Sequence, residues 1–152
     1  PVCLDTAGTL NTAARKANAV VHEGGTYICI EGPQFSTKAE SNLYRQWGVN
    51  VIGMTNVTEA KLAREANICY ATLALITDYD CWKEEEEPVT VEAVLEIMHR
   101  NVEMAQKVLK EFASEFKGRR SCTCGSAAQN AVVTGYKNIP AQLRDELSIL
   151  FG

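Results

Sequence analysis

The run ICYATLALIT, residues 68–77, constrains the fold more than any other stretch. A nearly continuous apolar and β-branched segment of this length, set off by a polar stop at Asn67, is pitched to be a strand buried on both faces. Such strands belong to parallel sheets whose two faces are covered by helices. The run then ends in Asp78-Tyr79-Asp80. Carboxylates are costly to bring near a core unless they are paired, protonated or in use. Either this is an acidic surface turn, or the strand delivers Asp78 and Asp80 to a site.

The rest of the chain alternates strands and amphipathic helices. TYICIE (26–31) reads as a short strand after the Gly24-Gly25 turn. STKAESNLYRQWG follows as a helix, with Thr37 and Glu40 at capping-box spacing, Gly48 as the stop, and Ala39, Leu43 and Trp47 as its apolar face. VNVIGM (49–54) is the next strand, and a helix runs from about Val57 to Ala66 with Asn56 and Glu59 again at capping-box spacing. The acidic run 84–87 is a solvated lead-in favoured by a positive helix end. Beyond it a long helix is expected with Thr90 as N-cap and one apolar stripe of Val91, Val94, Leu95, Met98, Val102, Ala105, Leu109 and Phe112. A short final helix carries Pro140 in its first turn. The expected fold is α/β: one domain over residues 1–152, three layers deep, with a largely parallel or mixed central sheet.

Composition narrows the function. With 152 residues, 46% of them hydrophobic, the chain can bury a real core. A net charge of −4 leaves no basic stripe for a nucleic acid. No apolar stretch approaches the roughly 20 residues that span a bilayer, and no signal-peptide pattern opens the chain, so no membrane partner and a cytoplasmic location are expected. Six cysteines are many for such a domain. Cys29 and Cys69 sit in apolar runs as small buried hydrophobes. Cys122 and Cys124 lie too close for a relaxed disulfide, which points to a redox-labile pair or to partners for other cysteines. Zinc would need two further ligands, and neither His22 nor His99 stands at a useful spacing, so no metal is expected. Intracellular disulfides would indicate a thermophile.

In parallel α/β sheets the C-terminal strand ends share one edge, and ligands bind there. Glu31, Phe35, Ser36, Met54, Thr55, Asp78 and Asp80 therefore converge although scattered in sequence. Taken singly, Ser36 and Thr55 are equally well explained as cap or turn residues. Phe35 and Met54 suit a planar base and a sugar. Thr55, before a helix N-terminus, suits an anion such as phosphate. Asp78 and Asp80 alternate, so in extended chain both carboxyls lean to one side, and crowding two of them makes one a proton donor. Base, sugar, anion and proton donor together describe cleavage of an N-glycosidic bond.

IEGPQFSTKAES, VIGMTNVTEAKLAREANICYA and TDYDCWKEEEEPVTVEAVL resemble the C-terminal half of the methylthioadenosine phosphorylases, in the purine nucleoside phosphorylase family. The resemblance covers about residues 1–117, and the CxC tail resembles thermophilic members. It implies phosphorolysis of 5′-methylthioadenosine to adenine and 5-methylthioribose 1-phosphate, without a cofactor and with inorganic phosphate as co-substrate. Asp78 would protonate or hydrogen-bond purine N7, and Asp80 would meet the N6 amino group. Phe35 would stack near the base, Ser36 would support it, Met54 would contact the ribose and Thr55 would bind phosphate. Val91, Val94 and Leu95 would line the methylthio slot, with helix-core packing as a rival reading for all three. Gly53 stands where some members carry asparagine. The family's N-terminal half, with its glycine-rich phosphate loop and Arg-His ligands, is absent, which implies a fragment completed from elsewhere. Family members form trimers or hexamers, so a homo-oligomer is expected. Three alternatives remain: a broader purine nucleoside phosphorylase, a domain using Asp78 and Asp80 as a DxD magnesium pair, and a non-catalytic assembly remnant.

Overall fold

The computed structural model describes residues 1–83, 91–129 and 131–151. The tetraglutamate at 84–87 and the N-cap expected at Thr90 lie outside the described residues, as do the side chains of Val91 and Val94. Helix α1 (Leu4–Lys16) opens the chain. Strand β1 (Tyr27–Cys29), helix α2 (Lys38–Gln46), strand β2 (Val51–Gly53) and helix α3 (Asn56–Glu65) follow. A 3-10 turn at Asp80–Trp82 precedes the long helix α4 (Val91–Glu115), and the tail ends in α5 (Ala141–Glu146) and α6 (Ser148–Phe151). The last two replace the single terminal helix that was expected, with Pro140 at the N-cap rather than within the first turn.

The strands pair in parallel, Tyr27 with Val51, Ile28 with Ile52 and Cys29 with Gly53. Ile30 N–H continues the ladder to the Gly53 carbonyl at 2.9 Å. The architecture is α/β, but its sheet has two strands: the third one expected at 68–77 carries no strand pairing. A strand exists only against a partner that satisfies its backbone. Here the run is held at single points, by Cys3 N–H donating to the Tyr70 carbonyl (2.7 Å) and Asn101 Nδ2 to the Ile76 carbonyl (2.9 Å).

The capping box on α2 forms as its spacing implies. Thr37 Oγ1 accepts from Glu40 N–H at 3.3 Å, and Glu40 Oε2 accepts from Thr37 N–H at 2.7 Å. The second expected box does not form. Thr55 is the N-cap of α3, and Asn56 is already helical. Asn56 and Glu59 turn instead to the 68–77 run, where the Tyr70 hydroxyl lies 2.9 Å from Asn56 Oδ1 and 3.0 Å from Glu59 Oε2. Thr72 Oγ1 donates to Asn56 Oδ1 at 2.6 Å. Burial, seconded by Glu59, raises the Tyr70 phenol above its ordinary range.

The core forms where α1 meets α4. Ala13 and Ala14 let the helices approach closely around buried Val108, and Leu10, Leu73, Met104 and Phe112 pack against them. Because its buried face is alanine, α1 carries little periodic signal. The α4 stripe expected to be buried is turned partly outward: Leu95, Met98, Val102 and Leu109 are each about half exposed. So are Leu43 and Trp47 of α2, where Ser41 takes the buried position. The total surface is 11653 Å², whereas a compact globular chain of this mass exposes only about 7600 Å². Thr37→Ala should lower stability by about 1 kcal/mol at neutral pH. The Thr37 amide, and after it the Thr37 hydroxyl that the variant loses, hold the Glu40 carboxyl below its ordinary 4.5, so the hydroxyl's share of the carboxylate's contribution is present above that pH and lost as pH falls through the folded-state value. Denaturant melts of both proteins should therefore converge partly in acid.

Candidate active site

The parallel register puts the ends of β1 and β2 side by side. Gly32 has φ +71°, and a β-carbon there would lie 2.8 Å from Met54 Sδ, so only glycine lets the thioether rest against this backbone. From Gly32 the chain passes through Gln34, Phe35 and Ser36 into the N-terminus of α2. Together with Glu31, Tyr44 and Trp47 these residues border a cleft of about 450 Å³. The Phe35 ring is 84% exposed, open for a planar group to stack on. Thr55, also exposed, ends the β2 side of the edge directly before α3.

The aspartates are not in extended chain as expected. Asp78 Oδ1 accepts from Asp80 N–H at 2.8 Å, an Asx turn, and Asp80 takes φ +59°. The two carboxyls consequently have separate partners. Asp78 Oδ2 accepts from Thr77 Oγ1 at 2.7 Å. Asp80 Oδ2 accepts from Ser41 Oγ at 2.6 Å and lies 3.5 Å from Ser36 Oγ. Ser41 is 2% exposed and Asp80 half-buried, so this is a partly buried hydrogen bond to a carboxylate, a class worth up to about 1.5–3 kcal/mol when fully buried. The turn is clamped onto α2 by the Arg45 guanidinium, 3.7 Å from the Trp82 ring centre, while Tyr79 meets Trp82 edge-on.

Of the residues expected to converge, Phe35, Ser36, Asp78 and Asp80 come together, and Met54 lies beside Gly32 at the same edge. Leu95 is half exposed near the start of α4. Ser41, Arg45 and Trp82 were not anticipated. The only sequence signal for Ser41 is its place one turn inside a capped helix, and the apolar spacing of Ala39, Leu43 and Trp47 pointed to another face. At position 53 a β-carbon would sit 1.8 Å from the Tyr27 hydroxyl, so glycine there makes room for the Tyr27 ring on the neighbouring strand.

All six cysteines are free, so no disulfide joins Cys122 to Cys124; of the two readings, the one that makes them partners for other cysteines fits, with Cys122 Sγ 3.5 Å from Cys69 Sγ. Among the described residues no helix is long and apolar enough to cross a membrane.

Comparison with known proteins places this geometry in context. The profile of the phosphorylase superfamily matches residues 1–114. The S-methyl-5′-thioadenosine phosphorylase of Geobacter sulfurreducens is 51% identical over the whole chain, which covers 53% of that protein. The one from Koribacter versatilis is 49% identical with 52% of its length covered. A crystal structure of methylthioadenosine phosphorylase from an Antarctic soil metagenomic library superposes with a TM-score of 0.89 at 41% identity, over 99% of this chain and 54% of that one. Methylthioadenosine phosphorylase from Schistosoma mansoni in complex with adenine gives 0.72 at 34% identity, over 86% and 51% respectively. The chain thus spans about half the length of the relatives it matches.

Gly53→Ala should cost about 1–3 kcal/mol by displacing the Tyr27 ring. In a Tyr27→Val background the same change should cost markedly less, and a double-mutant cycle by denaturant unfolding measures the difference.

Proposed function

The chain belongs to the phosphorylase superfamily, and from that membership we propose that it is the nucleoside-binding, C-terminal portion of a 5′-methylthioadenosine phosphorylase, a pentosyltransferase of purine and methionine salvage. Inorganic phosphate attacks C1′, the C1′–N9 bond breaks, and its electron pair passes into the purine. Products are adenine and 5-methylthioribose 1-phosphate, and no cofactor is required. What carries this reading is the Asp80 carboxylate, two residues from Asp78 and held by the hydroxyls of Ser41 and of Ser36, which follows the exposed Phe35 in sequence.

Asp78 donates a proton to N7 as the base leaves, so that the purine departs neutral. Its hydrogen bond from the Asp80 amide couples its position to the base-reading group. Asp80 accepts from the N6 amino group. A 6-oxopurine would instead present a carbonyl oxygen to a carboxylate already locked by Ser41, leaving both acceptors unpaired, and that asymmetry supplies base selectivity. Phe35 stacks on the base, Ser36 supports it from the cleft wall, and Met54 floors the ribose. Thr55 and the amides opening α3 bind phosphate. Val91, Val94 and Leu95 line the slot for the methylthio group. The remaining phosphate and ribose ligands belong to the portion of the relatives that this chain does not cover. The half-exposed apolar residues of α4 support assembly into a trimer or hexamer, and the location proposed is the cytosol.

The test is phosphorolysis of methylthioadenosine, adenosine and inosine by the protein complete with its other half. Asp78→Ala should cut turnover on methylthioadenosine by about 10²-fold or more with circular dichroism unchanged, and a loss below about tenfold would count against its role as acid. Asp80→Asn keeps an oxygen for Ser41 but adds a donor. It should narrow the preference for methylthioadenosine over inosine, and an unchanged ratio would contradict the assignment of Asp80 to N6.

A further inference from the structure

Outside the nucleoside cleft, four cysteines from three distant parts of the chain meet. Cys3 is the N-cap of α1, Cys69 opens the 68–77 run, and Cys122 and Cys124 lie in the tail beyond α4. Their four Sγ atoms all lie within 4.8 Å of one another. A tetrahedral zinc ion with Zn–S bonds of about 2.3 Å holds its sulfurs about 3.8 Å apart, so the cluster is a slightly expanded four-thiolate shell. Cys3 and Cys124 are buried, at 2% and 6% exposure, and the other two are half-buried. The two ligands that the CxC pair lacks in its own stretch of sequence are supplied by tertiary structure.

We propose that Cys3, Cys69, Cys122 and Cys124 form a structural zinc site that fastens the C-terminal tail to the body of the protein. Binding exchanges four thiol protons for one Zn²⁺ and involves no electron transfer. With four protein ligands the shell is closed, which marks a structural site rather than a catalytic one. The resulting double negative charge has a counterpart in place, because Arg64 Nη1 approaches Cys124 Sγ at 4.0 Å.

The tail needs such a fastening. Beyond α4 the buried apolar residues among those described are Cys124 and Ala128 alone. The other attachments are polar and few. Arg120 donates to the Asn67 carbonyl at 3.0 Å, the Asn67 side chain bonds Ala128 N–H at 2.9 Å and the Leu150 carbonyl at 2.8 Å, and Ser121 bonds Asp5. Their partners on the body stand close in sequence to two of the cysteines: Asn67 lies two residues from Cys69, and Asp5 two from Cys3.

The experiment uses the protein purified anaerobically under reducing, chelator-free conditions, with any chain that accompanies it. Elemental analysis should find about one zinc per chain, reduced at least severalfold in Cys122→Ser and Cys124→Ser and unchanged in Cys29→Ser. Replacement by Co²⁺ should give the intense sulfur-to-cobalt charge-transfer bands of a tetrathiolate, a readout on the unaltered protein that stands even where a variant fails to fold. Stripping the metal should expose the tail after Phe116 to limited proteolysis. Substoichiometric zinc with four freely titrating thiols, zinc retained in both tail variants, or disulfides joining these cysteines in non-reducing peptide maps would each overturn the proposal.

Discussion

The parallel pairing of β1 with β2 is the constraint on which the site depends. Two strands of three residues each are enough, because parallel pairing forces both C-terminal ends to one edge. The Tyr27 ring fills the space above Gly53, and the bare backbone at Gly32 receives Met54. These two close contacts tie the strands together on either side of the register. A side chain at either glycine would displace the Tyr27 ring or the Met54 thioether from that edge.

The acidic turn is then added to that edge by α2 rather than by the sheet. Ser41 and Arg45 lie on the same helix, four residues apart, and so on one face. The serine takes Asp80 by hydrogen bond and the arginine takes Trp82 through its ring. The capping box that orients the start of α2 therefore also bears on where the Asp80 carboxylate points. Asp80 accepts the uncommon left-handed backbone for a non-glycine residue, and the Asp78 side chain holds its amide in that conformation.

A physical tension runs through the rest of the molecule. Among the described residues the buried apolar cluster, between α1 and α4, is small, and the surface is larger by roughly half than a compact chain of this mass presents. Apolar side chains at helical spacing on α4, and Leu43 and Trp47 on α2, face outward. The 68–77 run has the composition of a central strand but lacks neighbours along its backbone. They occur in a chain that spans about half the length of the relatives it matches.

Sequence alone determined whatever depends on neighbours a few residues apart. The Thr37–Glu40 box and the alternation of short parallel strands with helices over residues 27–65 follow from local spacing and the handedness of the chain. Where the reading failed, the missing information was non-local. Asn56 and Glu59 stand at the spacing of a cap, yet the Tyr70 hydroxyl outcompetes the helix end for both. The α4 stripe has the period of a buried face, but which side is covered depends on where α1 lies. Spacing left open whether Cys122 and Cys124 pair with each other or with other cysteines, and the fold brings them to Cys3 and Cys69. Only the tertiary structure could decide these, since periodicity reports that a face is apolar and composition reports that a ligand is present, but the identity of the partner is a property of the folded chain.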